Sequence, residues 1–394
     1  MAKLDQAEVV SKVVGSFRRI YGTDPDVVSR APGRLEILGN HTDYNEGTVL
    51  SAAVDCAMYI AAAAVDGTQI CNIEEDAIMT SSRSFSLRAL DEREEGDWAN
   101  YIKGVVIEFR KRGFTVPAFN AVLYGTVPLS AGMSSSAALE IAMVEVLKKL
   151  CKVDIDWLEC AKIGQAAENN YIGAQTGLMD QFSSLKGRKG TLVYSDFRNN
   201  KVENVPMPSG SCFVVASSQI KHNLKNEYND RREACMTAAK TLSQIYPGVK
   251  TLRDVTREQL RFARKKLYLV PYRRAMHVVG EIERVFAGCR ALQQGDIEYF
   301  GRLMADSHLS SRYYFQNSCP ELDILVELGQ SLPGYYGARL SGGGFGGITV
   351  HLVKSELAHD YMERLVSGYE KCTGIKTEAM ICQADDGAGF PAWK

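Results

Sequence analysis

The chain has 394 residues, 45% of them apolar and 24% charged, with 46 basic against 47 acidic side chains and a net charge of −1. That length can bury at least one large core and favours two domains. So neutral a balance supplies no basic field, so neither nucleic acid nor a membrane is expected as a partner. Any phosphate must be held by a few donors in a pocket.

Asp5 and Glu8 stand where a signal peptide would need an apolar core, and no uninterrupted apolar run reaches about 18 residues. A cytoplasmic chain without a membrane span is therefore expected. Ten cysteines are scattered from Cys56 to Cys382 without a CxxC pair or zinc-ligand spacing, as expected of reduced, mostly buried thiols.

In chain order, Val9, Val10, Val13, Val14 and Phe17 lie at helical spacing and predict an amphipathic helix over 6–21. Strand-like runs follow at 27–29, 48–53, 58–64 and 120–128. The segment LSAGMSSS then leads into a buried helix over 137–150. A second helix is predicted over 156–171, antiparallel strands over 187–215, and a mostly helical stretch from about 225 to 330. A glycine-rich loop at 341–347 precedes a strand at 348–353, a helix at about 355–371 and a strand near 377–383. The last ten residues, DDGAGFPAWK, read as a loose tail. Strands and helices mix without regular alternation, which predicts an α+β fold, divided near the turn-rich PMPSGS at 206–211.

Four motifs bear on chemistry. In VPLSAGMSSSAALE at 127–140 a strand enters small residues and three serines just before a helix. Free N–H groups and the helix dipole suit such a terminus to phosphate, and serine hydroxyls suit Mg²⁺; a serine-capped helix with no ligand reads the same way. In APGRLEILGNHTDYNEG at 31–47, Arg34, Asn40, His41, Asp43 and Tyr44 crowd into eleven residues, an array fit for sugar hydroxyls or simply a polar surface loop. Asp180 in GLMDQF has apolar neighbours, which makes it a functional carboxylate or an ordinary cap. GGGFGG at 342–347 lets backbone approach a ligand, or turns the chain into the next strand.

The order and spacing of these motifs resemble the GHMP kinase superfamily, which includes galactokinase, homoserine kinase, mevalonate kinase and phosphomevalonate kinase. HTDY at 41–44 and MDQF at 179–182 are similar to galactokinase signatures. The resemblance runs from Arg30 to the tail. It implies a two-domain fold: an N-terminal domain over 1–205 like ribosomal protein S5 domain 2, and a ferredoxin-like C-terminal domain over 206–394. It implies ATP and Mg²⁺ as cofactors and a sugar as the small-molecule partner of a monomeric chain. The implied activity is phosphorylation of the C1 hydroxyl of galactose.

By the same resemblance, Asp180 is the catalytic base or orienting charge and Arg34 its partner. Asn40, His41, Thr42, Asp43, Gly177 and Tyr228 are sugar-binding positions. Ser130, Ala131, Gly132, Met133, Ser134, Ser135 and Ser136 form the ATP phosphate loop, and Trp98 matches an adenine-pocket aromatic or else a half-buried core tryptophan. Ser136 and Glu168, the latter twelve residues before Asp180, match the Mg²⁺ positions.

Two departures stand out. Asn40 replaces the glutamate of the usual GEHTDY, whose carboxylate accepts hydrogen bonds from the C6 hydroxyl; this loss of charge raises galacturonate as an alternative substrate, and N-acetylgalactosamine is a further alternative among related sugars. Ser130 takes a glycine position of PxGAGLSSS. A catalytically silent sugar sensor is the other alternative, disfavoured by the intact set Arg34, Ser136, Glu168 and Asp180.

Overall fold

The computed structural model describes residues 4–77, 80–128, 132–174, 176–220 and 225–393, without the side chains of Lys225 and Asn226. Its first helix, Gln6–Tyr21, buries the five predicted residues Val9, Val10, Val13, Val14 and Phe17. The acidic pair Asp5 and Glu8 closes its first turn. The Glu8 N–H donates to Asp5 at 2.8 Å, and the Asp5 N–H donates to the Glu8 carboxylate at 2.9 Å.

Eleven strands are described: β1 (Val27–Leu38), β2 (Thr48–Val65), β3 (Ile70–Glu75), β4 (Ser81–Ser86), β5 (Ala118–Gly125), β6 (Thr191–Asp196), β7 (Lys201–Pro206), β8 (Ser211–Ser217), β9 (Tyr335–Ser341), β10 (Ile348–Lys354) and β11 (Ala379–Cys382). The first sheet runs β4-β3-β5-β2-β6-β7, with β1 also paired to β2. All its pairs are antiparallel except β3 with β5. The second sheet runs β11-β8-β10-β9 and is antiparallel throughout. The fold is α+β, as expected.

The two runs predicted at 48–53 and 58–64 are one continuous strand, because Asp55, the polar break between them, is only half-buried at the β11 side, where its backbone N–H donates to Gln383 at 3.2 Å. β1 extends to Leu38, so Arg34 and Glu36 belong to a strand and not to a loop. β3, β4 and β9 and the helix Ala99–Lys111 add to the predicted elements; the helix has Ile102, Val105, Val106 and Phe109 at helical spacing on its buried face. The predicted 156–171 helix ends as an α-helix at Ala166 and continues as a wider π turn over Ala167–Ile172.

The helix Ser135–Leu150 is buried from Ala137 to Leu147. It packs on β1 and β2 and against the helices Ala99–Lys111 and Trp157–Ala166. A second cluster joins the sheets: Leu35, Ile37, Leu50 and Met133 meet Phe213, Val215, Phe300 and Ile348. This apolar junction supports the loops above it. A third cluster unites the helices Lys225–Ser243 and Leu269–Gln293 with Phe315 and Tyr44.

The tail is not loose. Arg30 and Gly389 exchange two backbone hydrogen bonds of 2.9 Å, and the Arg30 guanidinium donates to the Asp385 carboxylate at 2.5 Å and to the Asp386 carbonyl at 2.7 Å. Buried Arg30 needs acceptors, and the polar tail supplies them. All ten cysteines are free thiols. No helix among the described residues is long and apolar enough to cross a membrane.

Candidate active site

β1 turns sharply after Leu38. Gly39 has φ 98°, and an added Cβ would lie 2.4 Å from the Thr48 carbonyl, so only glycine fits there. The following residues form a short 3₁₀ turn, Asp43–Asn45. Glu281, wholly buried on the helix Leu269–Gln293, accepts the backbone N–H groups of Gly39 and Asn40, each at 2.9 Å. It also accepts from Ser307 at 2.9 Å and Arg284 at 2.6 Å. Burial would raise its pKa, but Arg284, His277 and Arg339 hold it well below the ordinary carboxylate range. A charge from the helical region thus fixes the loop that follows β1.

Two cavities meet over this framework. One, of about 490 Å³, is lined by Arg34, Glu36, Asn40, His41, Asp43, Gly177, Asp180 and Tyr228 among others. The other, of about 470 Å³, is lined by Gly132, Ser134, Ser135, Ser136, Ile220 and the glycines of 342–347. Arg34, Asp180, Gly342 and Gly343 line both.

Arg34 and Asp180 form a bidentate pair, Nε to Oδ1 at 2.7 Å and Nη2 to Oδ2 at 2.8 Å. Arg34 Nη1 also donates to the Gly132 carbonyl at 2.7 Å, and its backbone N–H donates to the Met133 carbonyl at 2.9 Å. Burial disfavours the cation, yet the charge and hydrogen bonds of Asp180, with Glu36 and Glu168 nearby, more than offset this and keep its pKa above the ordinary value. The Ser134 hydroxyl donates to Asp180 as well. Ser134 holds φ 57°, a left-handed conformation costly for serine, just before the helix Ser135–Leu150. The first N–H groups of that helix have no intrahelical partner and open on the second cavity.

Ser136 Oγ donates to Glu168 Oε1 at 3.3 Å, and the Thr176 hydroxyl donates to Oε2 at 2.8 Å. Burial, then the charge of Asp180, raises the Glu168 pKa. Behind it Glu140 is wholly buried, raised well above the ordinary range by the same two kinds of cause, and one of its oxygens has no partner.

In the first cavity the ring of His41 lies 4.5 Å from Phe315 and 5.1 Å from Tyr228. Its Nε2 faces the Gly343 carbonyl at 3.3 Å and its Nδ1 the Tyr44 hydroxyl at 3.0 Å. A carbonyl can only accept, so Nε2 carries the proton and Tyr44 donates to Nδ1. Burial lowers the His41 pKa to about 3, so the ring is neutral. Burial also pushes Asp43 up to about 6. Gly177 is packed on that carboxylate: an added Cβ would lie 1.9 Å from Asp43 Oδ2.

Most of the anticipated residues therefore come together. Thr42 does not: its hydroxyl, wholly buried, donates to the Gly39 and Thr48 carbonyls at 2.9 and 2.7 Å and ties the turn. Met133 turns its side chain into the junction core and offers only its carbonyl. Trp98 packs on the first-sheet core beneath Arg83 and lines neither cavity. Ser130 and Ala131 lie outside the described residues. Glu36, Glu281, Asn317 and Arg339 were not anticipated. Only the alternation of β1, which puts Glu36 on the face of Arg34, could have pointed to one of them.

Comparison with known proteins accords with this geometry. Residues 15–64 match the galactokinase galactose-binding signature, 100–188 the GHMP kinase N-terminal domain and 290–365 the GHMP kinase C-terminal domain. The chain is 40% identical over 374 residues to a galactokinase of Roseiflexus, covering 95% of each. It belongs to the galactokinase family. The human galactokinase is 38% identical over 98% of this chain and 99% of its own. Among solved structures, Lactococcus lactis galactokinase complexed with galactose superposes with a TM-score of 0.90, at 27% identity, over 97% of this chain and all of that one. Methanococcus jannaschii mevalonate kinase, 16% identical with a TM-score of 0.64 over 91% and 98% of the two chains, shares the fold. The fold is thus the two-domain GHMP kinase fold. The alternatives galacturonate and N-acetylgalactosamine are not favoured by these galactokinase relatives, and the cavity retains a carboxylate at Glu36.

Proposed function

We propose that the chain transfers the γ-phosphoryl group of ATP to the C1 hydroxyl of galactose, yielding galactose 1-phosphate and ADP. The carrying observation is the Arg34–Asp180 pair in the wall shared by a cavity of side-chain polar groups and a cavity of serines and glycines. Phosphoryl transfer needs mainly such alignment and charge stabilisation.

In this reading galactose occupies the first cavity, held by Asp43, Tyr228 and the backbone at Gly177 and packed against the ring of His41, whose two nitrogens are taken by Tyr44 and Gly343, with its C1 oxygen at Asp180. The phosphates occupy the second, against Gly132, Ser134, Ser135, Ser136 and the glycines of 342–347; Ser130 and Ala131 belong to the same proposed loop. Asp180 orients the C1 hydroxyl and receives its proton as that oxygen bonds to the γ-phosphorus. The bond to the leaving oxygen breaks with its electron pair going to ADP. Arg34 stabilises the charge on the group in transit.

Mg²⁺ fits Ser136 and Glu168. Their oxygens are 3.3 Å apart, close to the roughly 3 Å between neighbouring ligands of an octahedral Mg²⁺, and among the described residues the buried Glu168 carboxylate is hydrogen-bonded only by hydroxyls and an amide, with the carboxylates Asp180 and Glu140 close by. When bound, the ion would neutralise phosphate charge. We further propose a domain division between residues 205 and 206, at the last residue of β7 of the first sheet and just before the turn to β8 of the second, and a cytoplasmic monomer.

The test is an ADP-release screen of free hexoses, hexuronates and N-acetylhexosamines, with Asp180→Asn as blank and the product identified by phosphorus NMR. Turnover of galactose to its 1-phosphate is expected. Absence of galactose turnover, or a preference for galacturonate, overturns the reading.

A further inference from the structure

We infer that Glu36, and not Asn40, is the residue that selects the sugar: its free carboxylate oxygen accepts a hydrogen bond from a galactose hydroxyl remote from C1, and Asn40 is the positioning residue that aims it. The inference rests on the galactose reading above.

Asn40 has no capacity left for a ligand. An amide side chain donates twice and accepts twice. Its Nδ2 donates to Glu36 Oε1 and to the Gly342 carbonyl, both at 2.9 Å. Its Oδ1 accepts from Asn317 at 2.9 Å and Ser311 at 3.5 Å. The residue is 1% exposed. It touches the cavity wall but every polar site on it is already matched by protein.

Glu36 is in the opposite condition. Oε1 accepts from Asn40 and from Arg339 Nη1 at 3.1 Å. Oε2 makes no hydrogen bond among the described residues, and it is not among the sealed, unpaired atoms, so the little exposure Glu36 has opens on the cavity it lines. Arg339 is wholly buried and leaves two of its three nitrogens, Nε and Nη2, unpaired. Burying that cation is expensive, and its one ion pair among the described residues holds Glu36.

Placement decides which part of the sugar is met. Arg34, Leu35 and Glu36 pair in unbroken register with Ala53, Ala52 and Ser51. Glu36 therefore projects on the same face as Arg34, one strand repeat or about 7 Å further on. Arg34 marks the reacting end, so Glu36 meets the far side of the ring, where the C4 and C6 hydroxyls lie. A carboxylate there rewards a hydroxyl donor and repels a second carboxylate. The charge that Asn40 lacks is thus supplied one hydrogen bond away.

The experiment compares galactose, 4-deoxygalactose, 6-deoxygalactose and galacturonate on the wild type, Glu36→Gln, Asn40→Ala and the exchange Glu36→Asn with Asn40→Glu. Glu36→Gln should raise KM for galactose about tenfold to a hundredfold, the size of one hydrogen bond to a charged group, with kcat within threefold. The same substitution should leave unchanged the KM of whichever deoxy analogue lacks the contacted hydroxyl. Asn40→Ala should raise KM in the same sense, and the exchange should recover most of the loss. The wild type by itself should discriminate against one deoxy analogue at least tenfold. Equal losses for galactose and both analogues, a fall in kcat in place of KM, or a wild type indifferent to both deoxy sugars overturns the inference, the last without need of any variant. If the wild type fails on galactose altogether, the proposed function falls first and this inference with it.

Discussion

The two cavities that share the Arg34–Asp180 pair are built by different means. The phosphate-side cavity is made largely of main chain: a helix N-terminus, a left-handed Ser134 and six glycines. The sugar-side cavity is made of side chains locked by others, Asn40 by Glu36 and Asn317, His41 by Tyr44 and Gly343, Asp43 against Gly177. Its loop is also tied to a distant helix through Glu281. Phosphate is the same in every nucleotide and can be read by backbone N–H groups. A sugar differs from its isomers by the placement of hydroxyls, and only fixed donors and acceptors tell them apart. On the proposed function, the division lodges rate in the shared wall, general binding in the glycines and serines, and selectivity in the braced network.

Breaking the shared wall should have the largest effect. Asp180→Asn keeps the shape but removes the orienting charge and proton acceptor, and kcat, read by steady-state kinetics, should fall about 10²–10⁴-fold. The thermal midpoint, read by calorimetry, should fall too, because buried Arg34 loses the charge that offsets its burial. Next comes the phosphate side: Ser136→Ala should raise the Mg²⁺ concentration needed for half-maximal rate about tenfold or more, and chelation of the metal should abolish turnover of wild type and variant alike. A Mg²⁺ titration that superimposes for the two would separate Ser136 from the metal.

On the sugar side, Gly177→Ala forces a methyl against Asp43. It should raise KM for galactose while leaving KM for ATP within twofold, and lower stability by about 1–3 kcal/mol. A subtler probe is pH. With Asp43 pushed up to about 6, its acceptor charge is present above that pH and lost as pH falls through it. KM for galactose should therefore rise below about pH 6, and Asp43→Asn should flatten that limb. His41, neutral down to about 3, should add nothing between pH 5 and 8. The smallest effect is expected at Thr42→Ala, which loses only turn-closing hydrogen bonds: about 1 kcal/mol of stability with galactose kinetics unaltered.

Much of the site was legible because its chemistry is local. Ser134–Ser136 precede a helix, and the polar crowd from Arg34 to Tyr44 sits between turn residues. The helix Gln6–Tyr21 was readable for the same reason, since one apolar face at helical spacing suffices. What escaped has a physical cause. Glu36 lies in a strand whose twelve residues are all buried, so its charge looked like one more polar residue in a loop. Glu281, Asn317 and Arg339 lie hundreds of residues from the groups they hold. Trp98 and Thr42 matched motif positions, but neither their sequence neighbours nor their type said where the side chain points.

The residue order alone determined the α+β mixture and the order of the four motifs, because periodicity, glycine and helix-start chemistry act over a few residues; the pairing of Arg34 with Asp180 entered only through the family resemblance. Only the tertiary structure decided that Asn40 is filled by its neighbours while the carboxylate of Glu36 lines the cavity beside it. Hydrogen-bonding capacity is exhausted or left open by partners that folding brings from far along the chain, and no local pattern records which of two adjacent polar groups remains free.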